Sequence, residues 1–270
     1  MSKTTKTAPG GTIPHSGRVS RLRPAGFRGI IEADLAGTSR RLERMRTMEI
    51  NYKKRLAMDP SGFVLLSDYV PGLLQEIRYH SPYNFVGDRI DGYEEPCALL
   101  TREAARALKT VSNEMNAQGY RLKIFDAYRP ACAVWHFVLW GIEDLDLRMK
   151  PYFYPDLEKQ SLFAQGYIAS QSSHSRGSTV DLTLLDMTTG REVDMGSPFD
   201  LFSPVSHPDY RGITEEQYAN RMLLQRAMVR CGFAPIDCEW WHFTLADEPY
   251  PDTYGNTAQR YRQSQRCVIM

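Results

Sequence analysis

TREAARALKTVSNEMNAQGYRLKIF, running from Thr101 to Phe125, decides the fold class. Its first eighteen residues carry apolar side chains at helical spacing, with Thr101 as the N-cap, Glu103 in the first turn and Gly119 just past the end. From Tyr120 to Phe125 the period changes to two, as apolar and polar residues alternate in a strand. A helix feeding a strand through one glycine is the unit from which the rest is read.

Downstream, Ala131–Leu145 is rich in apolar residues and reads as a largely buried helix. Thr214–Cys231 is the best-marked helix: Thr214 and Gln217 form a capping box, Glu215 and Glu216 suit the positive end of the dipole, and Gly232 ends it. Ser178–Leu184 and Trp240–Leu245, with their β-branched and aromatic residues, read as strands. Upstream, the folded region begins near Gly62. Strands mixed with segregated helices, without regular βαβ alternation, predict an α+β fold. We expect one compact domain with a mainly antiparallel central sheet flanked by helices.

The 270 residues, 42% of them hydrophobic, suffice for one such core with tails. A net charge of +1 argues against a nucleic-acid binder or an acidic scaffold. No apolar run reaches the ~18 residues of a membrane span, and the first 50 residues lack the apolar segment of a secretory signal. Five cysteines, odd in number and without a C-x-x-C pair, fit reduced thiols and a cytoplasmic protein. Three regions are expected: a basic, flexible tail over 1–50 (ten Lys/Arg against four Asp/Glu) with a short helix over Thr38–Met48, a folded domain over 51–255, and a tail over 256–270.

Two segments carry chemistry. Ser173-His174-Ser175-Arg176-Gly177-Ser178-Thr179-Val180-Asp181 and Glu239-Trp240-Trp241-His242 supply two imidazoles, one ligand carboxylate and one spare carboxylate. Those are the components of a catalytic metal centre with an open position and a base beside it. Asp181 follows His174 at an offset of seven, so both cannot sit on one face of a regular strand. Gly177 allows a turn that folds His174 back over the strand bearing Asp181. Glu239 precedes His242 by three, an offset that points to opposite faces of a strand, so Glu239 belongs at a bend or strand start. A lone histidine is usually a satisfied core or surface residue, and only the joint occurrence of these groups has weight. His136, inside the apolar helix, is read as structural.

These residues closely resemble the zinc-dependent D-alanyl-D-alanine dipeptidases. The likeness runs through residues 172–184 and Glu239-Trp240-Trp241-His242-Phe243. It continues through Asn84-Phe85-Val86-Gly87, Gly92-Tyr93-Glu94, Asp126-Ala127-Tyr128-Arg129-Pro130, Met195-Gly196-Ser197-Pro198-Phe199-Asp200 and Asp247-Glu248-Pro249-Tyr250-Pro251. It covers residues 62–254 and leaves both tails aside. It implies a compact α+β fold, one Zn2+ per chain bound by His174, Asp181 and His242, and Glu239 as general base. Arg129 would stabilise the transition state and Asp200 would read the free amine of a D,D-dipeptide, with Tyr79 and Ser172 as further pocket residues. From the residues alone, the alternatives are that Arg129 pairs with Asp126, less favoured because Pro130 fixes the backbone after it, and that Asp200 caps the turn after Pro198. A DD-carboxypeptidase acting on peptidoglycan stems, or a catalytically silent zinc-binding module, would carry the same ligands.

The last four residues, Cys267-Val268-Ile269-Met270, match the C-a-a-X pattern, whose terminal Met points to a farnesyl group on Cys267. Arg260, Arg262 and Arg266 add upstream positive charge. One lipid binds membranes only marginally, so membrane association is expected only with that modification. The sequence leaves the oligomeric state open.

Overall fold

The computed structural model describes residues 62–143 and 145–250. The expected N-terminal tail with its helix over Thr38–Met48, the C-terminal tail and Cys267 lie outside them. In chain order the elements are β1 (Phe63–Leu65), α1 (Leu66–Tyr69), β2 (Leu74–Gln75), β3 (Leu99–Thr101), α2 (Arg102–Ala117), β4 (Tyr120–Asp126), α3 (Ala131–Ile142), α4 (Lys150–Phe153), α5 (Ser161–Ala164), β5 (Thr179–Asp186), α6 (Glu215–Arg230), β6 (Phe233–Pro235) and β7 (His242–Leu245). Three short 3-10 turns, at Arg78–His80, Ser173–Arg176 and Pro204–Ser206, complete the path.

The central sheet has the order β2-β4-β5-β7-β6, and a separate ribbon pairs β1 with β3. Every pairing is antiparallel except the two-residue edge strand β2, which runs parallel to β4. The sheet is therefore mixed at that edge and antiparallel elsewhere. On β5, Val180, Leu182 and Leu184 are fully buried and alternate with Asp181 and Thr183, which face the opposite side.

The helices form where local chemistry starts and stops them. On α2, Ala104, Ala105, Leu108, Val111 and Met115 make one buried stripe. The Thr101 hydroxyl accepts from the Ala104 N–H at 3.4 Å, and Gly119 leaves the helix at φ +87°. On α6 both halves of the capping box are made: Thr214 Oγ1 accepts from the Gln217 N–H, and Gln217 Oε1 accepts from the Thr214 N–H.

Strand β5 runs on to Asp186 rather than ending at Leu184, and two other ends differ from the sequence expectation for a visible reason. Helix α3 stops at Ile142 rather than Leu145, because the buried Lys159 ammonium takes the carbonyls of Glu143 at 2.5 Å and Asp146 at 3.0 Å, which diverts the chain from helical bonding. Strand β7 starts at His242 rather than Trp240. The Trp240 N–H donates to the Ser206 carbonyl at 2.9 Å, which takes Trp240 away from the ladder, while the Trp241 carbonyl still accepts from the Leu182 N–H of β5 at 3.1 Å. No helix among the described residues is long and apolar enough to cross a membrane.

Candidate metal centre and substrate cavity

One row across the sheet organises the site. Asp126 on β4 is the register partner of Asp181 on β5, and Asp181 is the register partner of His242 on β7. A register shift between Ile124 and Asp126 marks a β-bulge at Phe125, and the extra residue turns the Asp126 carboxylate into the row.

His174 reaches the same place from outside the sheet. It sits in the 3-10 turn Ser173–Arg176, which Gly177 ends in the left-handed region at φ +80°. A Cβ on Gly177 would stand 2.3 Å from the Phe63 ring, so both conformation and space demand glycine there. The Ser172 hydroxyl accepts from the His174 N–H at 3.3 Å and shapes the turn's start. Arg176 forms a two-pronged ion pair with Glu248, one arm at 2.7 Å, which anchors the turn's other end.

The three candidate ligands converge. His174 Nε2 lies 3.2 Å from Asp181 Oδ2 and 3.3 Å from His242 Nδ1, and His242 Nδ1 lies 3.1 Å from Asp181 Oδ1. All three residues are buried. The second nitrogen of His174 is 2.7 Å from the Ala127 carbonyl, a group that only accepts. Nδ1 therefore carries the hydrogen, and Nε2 presents a lone pair to the centre. The outer nitrogen of His242 meets the Ser173 hydroxyl at 3.3 Å. Asp181 Oδ1 is buried and makes no hydrogen bond, an oxygen in need of a cation. Two imidazole nitrogens and a carboxylate suit a zinc-type divalent ion, and three protein ligands leave a coordination position open.

Burial opposes ionisation of Asp181, yet the imidazoles of His174 and His242 beside it outweigh burial and hold its carboxyl well below the usual range. Glu239 stands before β7 with Oε2 3.6 Å from His242 Nδ1. Burial pushes its carboxyl up to about 7, with the Asp181 charge adding to the effect against the pull of His242 and Arg129.

A cavity of about 230 Å³ opens onto this cluster, lined by Arg129, Asp200, Tyr79, Ser172 and Glu239 together with the three convergent residues. Its remaining walls are apolar, with Phe85, Val134, Phe137, Phe202 and Ile236 among them. The volume lies below the ~300–1,000 Å³ of drug-sized pockets and suits a very small ligand. Asp200 has φ +62°, alone among described non-glycine residues, and its carboxylate accepts from the Tyr79 hydroxyl at 3.0 and 3.2 Å. Burial, then the charges of Asp181 and Glu239, raise the Asp200 carboxyl well above its ordinary range. Arg129 makes the ion pair with Asp126 that the sequence allowed, and it also lines the cavity. Its Nε and Nη2 each lie 2.9 Å from Asp126 Oδ2, and Nη2 is also 3.6 Å from Asp181 Oδ2.

Several residues escaped the sequence reading. Ser173 contacts the outer face of His242, and Asp126, read only as a possible partner of Arg129, sits in the central row. Arg221, buried on α6, donates to the carbonyls of Met195, His207 and Val205 at 2.6–2.9 Å, fixing the loop that carries Asp200. Ser197 takes the Trp240 indole N–H at 2.9 Å and ties that loop to the segment bearing Glu239. Their spacing in sequence carries no signal, since Ser173, Ser197 and Arg221 act on partners 14 or more residues away.

Known proteins resemble the chain over this same region. Residues 59–260 match the family described as D-ala-D-ala dipeptidase, within peptidase family M15. A D-alanyl-D-alanine dipeptidase of Enterococcus faecalis is 42% identical over 198 residues, 73% of this chain and 98% of the relative. The namesake of Streptomyces coelicolor is 40% identical, covering 71% of this chain and 95% of the relative. That of Escherichia coli is 33% identical, over 69% and 86% respectively.

Proposed function

Since the chain belongs to the D-Ala-D-Ala dipeptidase family, we propose that it hydrolyses free D-Ala-D-Ala to D-alanine, using one zinc ion held by His174, Asp181 and His242. The observation that carries the reading is the convergence of those three ligand atoms at the wall of a small cavity that also contains Glu239, Arg129, Asp200 and Tyr79.

Bound there, zinc would act as a Lewis acid on the scissile carbonyl and make a water acidic enough to attack near neutral pH. The chain's own groups do the rest. Glu239 takes the proton from the attacking water and delivers it to the departing amine. Arg129, permanently charged and held in a fixed fork, stabilises the oxyanion that develops at the carbonyl. Asp200 pairs with the substrate ammonium. Its surroundings disfavour a bare carboxylate, so an ammonium supplies the missing positive charge, and an acylated amine does not. Tyr79 donates to both Asp200 oxygens and keeps them aimed, while Ser172 lines the cavity and shapes the turn carrying His174. Apolar walls close round the two methyl groups and exclude bulk water.

The fit of this cavity to a free amine favours a dipeptidase over a DD-carboxypeptidase, whose substrate amine is acylated. A metal-stoichiometry measurement paired with hydrolysis assays on D-Ala-D-Ala and its N-acetyl derivative tests the whole reading. About one zinc per chain and turnover of the free dipeptide alone are expected. Equal rates on both substrates would overturn the role of Asp200, and a protein that binds no zinc would overturn the centre.

A further inference from the structure

Tyr93 and Asp126 do not line the cavity, yet they form a tightly bonded buried pair beside it. Both are buried, Asp126 to 1% exposure. The Tyr93 hydroxyl donates to Asp126 Oδ1 at 2.7 Å, and the other oxygen, Oδ2, accepts from Arg129 Nε–H at 2.9 Å with the charged Nη2 at the same distance. Asp126 cannot reach the centre itself. Its nearest approach to His174 is 3.6 Å, at Nδ1, the nitrogen on the far side of the ring from Nε2.

The position of Arg129 is the informative feature. Two buried carboxylates compete for one guanidinium. Nη2 lies 2.9 Å from Asp126 Oδ2 and 3.6 Å from Asp181 Oδ2, about 0.7 Å farther (3.6 minus 2.9) and beyond hydrogen-bonding distance. The rings of Tyr79 and Phe137 lie 5.0 and 5.2 Å from the guanidinium carbon and limit its retreat from the pair. If Asp126 lost its charge, a shift of under 1 Å would bring the arginine onto Asp181. A carboxylate oxygen engaged by a guanidinium is a poorer metal ligand, because the same electron pair then serves two cations.

We propose that Asp126, locked in place by the Tyr93 hydroxyl, is a positioning residue that holds Arg129 off Asp181 and so keeps the Asp181 carboxylate available to the metal ion. This rests on the proposed roles of Asp181 as ligand and Arg129 as oxyanion partner. It adds that the two are kept apart by a third group, and that metal affinity and turnover share this one control.

A mutant set read by zinc affinity (competition with a chromogenic chelator), with kcat and KM on D-Ala-D-Ala, tests it. Asp126→Asn is expected to weaken zinc binding about 10- to 100-fold, the range for groups that support metal ligands. Tyr93→Phe should weaken it less and lower kcat with little change in KM. Arg129→Gln alone should bind zinc at least as tightly as the parent. In the double variant Asp126→Asn with Arg129→Gln, zinc affinity should return to that of Arg129→Gln, although turnover stays lost. A carboxylate that merely supported the fold would show no such rescue. Unchanged zinc affinity in Asp126→Asn, or a double variant no better than Asp126→Asn, overturns the proposal. If Asp126→Asn fails to fold, Tyr93→Phe and its double with Arg129→Gln apply the same rescue criterion. A His174→Ala protein that binds zinc as tightly as the parent would instead condemn the metal site, which separates the two failures.

Discussion

Asp181 and His242 face one another as register partners on adjacent antiparallel strands, with Oδ1 and Nδ1 3.1 Å apart. Backbone ladder bonds thus set the spacing of two of the three candidate ligands, and a slip of one residue would turn one of them to the other face. Only His174 depends on a turn, and that turn depends on Gly177.

Gly177→Ala should therefore damage the centre more than the sheet. The new methyl group meets the Phe63 ring and sits on a residue at φ +80°, so a loss of at least about 2 kcal/mol is expected. Thermal melting checks the stability, and chelator competition should show weakened zinc binding even below the melting range.

Glu239→Gln should keep the metal and lose the chemistry. Removing a general base is expected to lower kcat by about 10²- to 10⁴-fold, while zinc stoichiometry stays at the parent value. A variant with full activity would remove Glu239 from the mechanism.

Asp200→Asn should erase the preference for a free amine. Loss of one buried charge-assisted bond, about 1.5–3 kcal/mol, corresponds to about a 10- to 150-fold fall in kcat/KM for D-Ala-D-Ala, with far less effect on N-acetyl-D-Ala-D-Ala. The ratio of the two constants is the readout.

Stripping zinc should lower the melting temperature as well as abolish turnover. With zinc at 100 times its dissociation constant, linkage contributes about 2.7 kcal/mol, or roughly 5–10 °C for a domain of this size. Restoring zinc should restore both, and calorimetry with and without chelator decides.

Arg221→Met should destabilise without touching the cavity directly. Three backbone carbonyls lose a charged donor, at a cost of at least about 3 kcal/mol and a melting point lower by roughly 6–12 °C. Loosening of the 195–207 loop should appear as a raised KM, since that loop carries Asp200.

Local rules made the helices legible. Thr101, Gly119, Thr214 and Gln217 act within four residues of the bonds they make, so composition near a terminus is enough to find it. The joint pattern of His174, Asp181, Glu239 and His242 pointed to one cluster, and the turn at Gly177 and the bend before His242 followed from strand period alone. Long-range partners were invisible. The Lys159 contacts that end α3 early, the Ser206 carbonyl that diverts Trp240, the parallel edge strand β2 and the Arg221 brace each depend on a neighbour supplied by the tertiary fold. Arg129 shows the limit best. Along the chain the Asp126 ion pair read as the alternative to a catalytic role, and in space the arginine that makes that pair also lines the cavity.

The bulge at Phe125 has a bearing on how this chain can be shortened or lengthened. Removing a single residue between Leu122 and Asp126 would rotate the aspartate out of line and drag Arg129 with it, so libraries of insertions and deletions should find this strand intolerant. The hairpin turn at Thr188–Gly190, exposed and joined to nothing that acts, is where extra residues or a grafted tag should pass unnoticed.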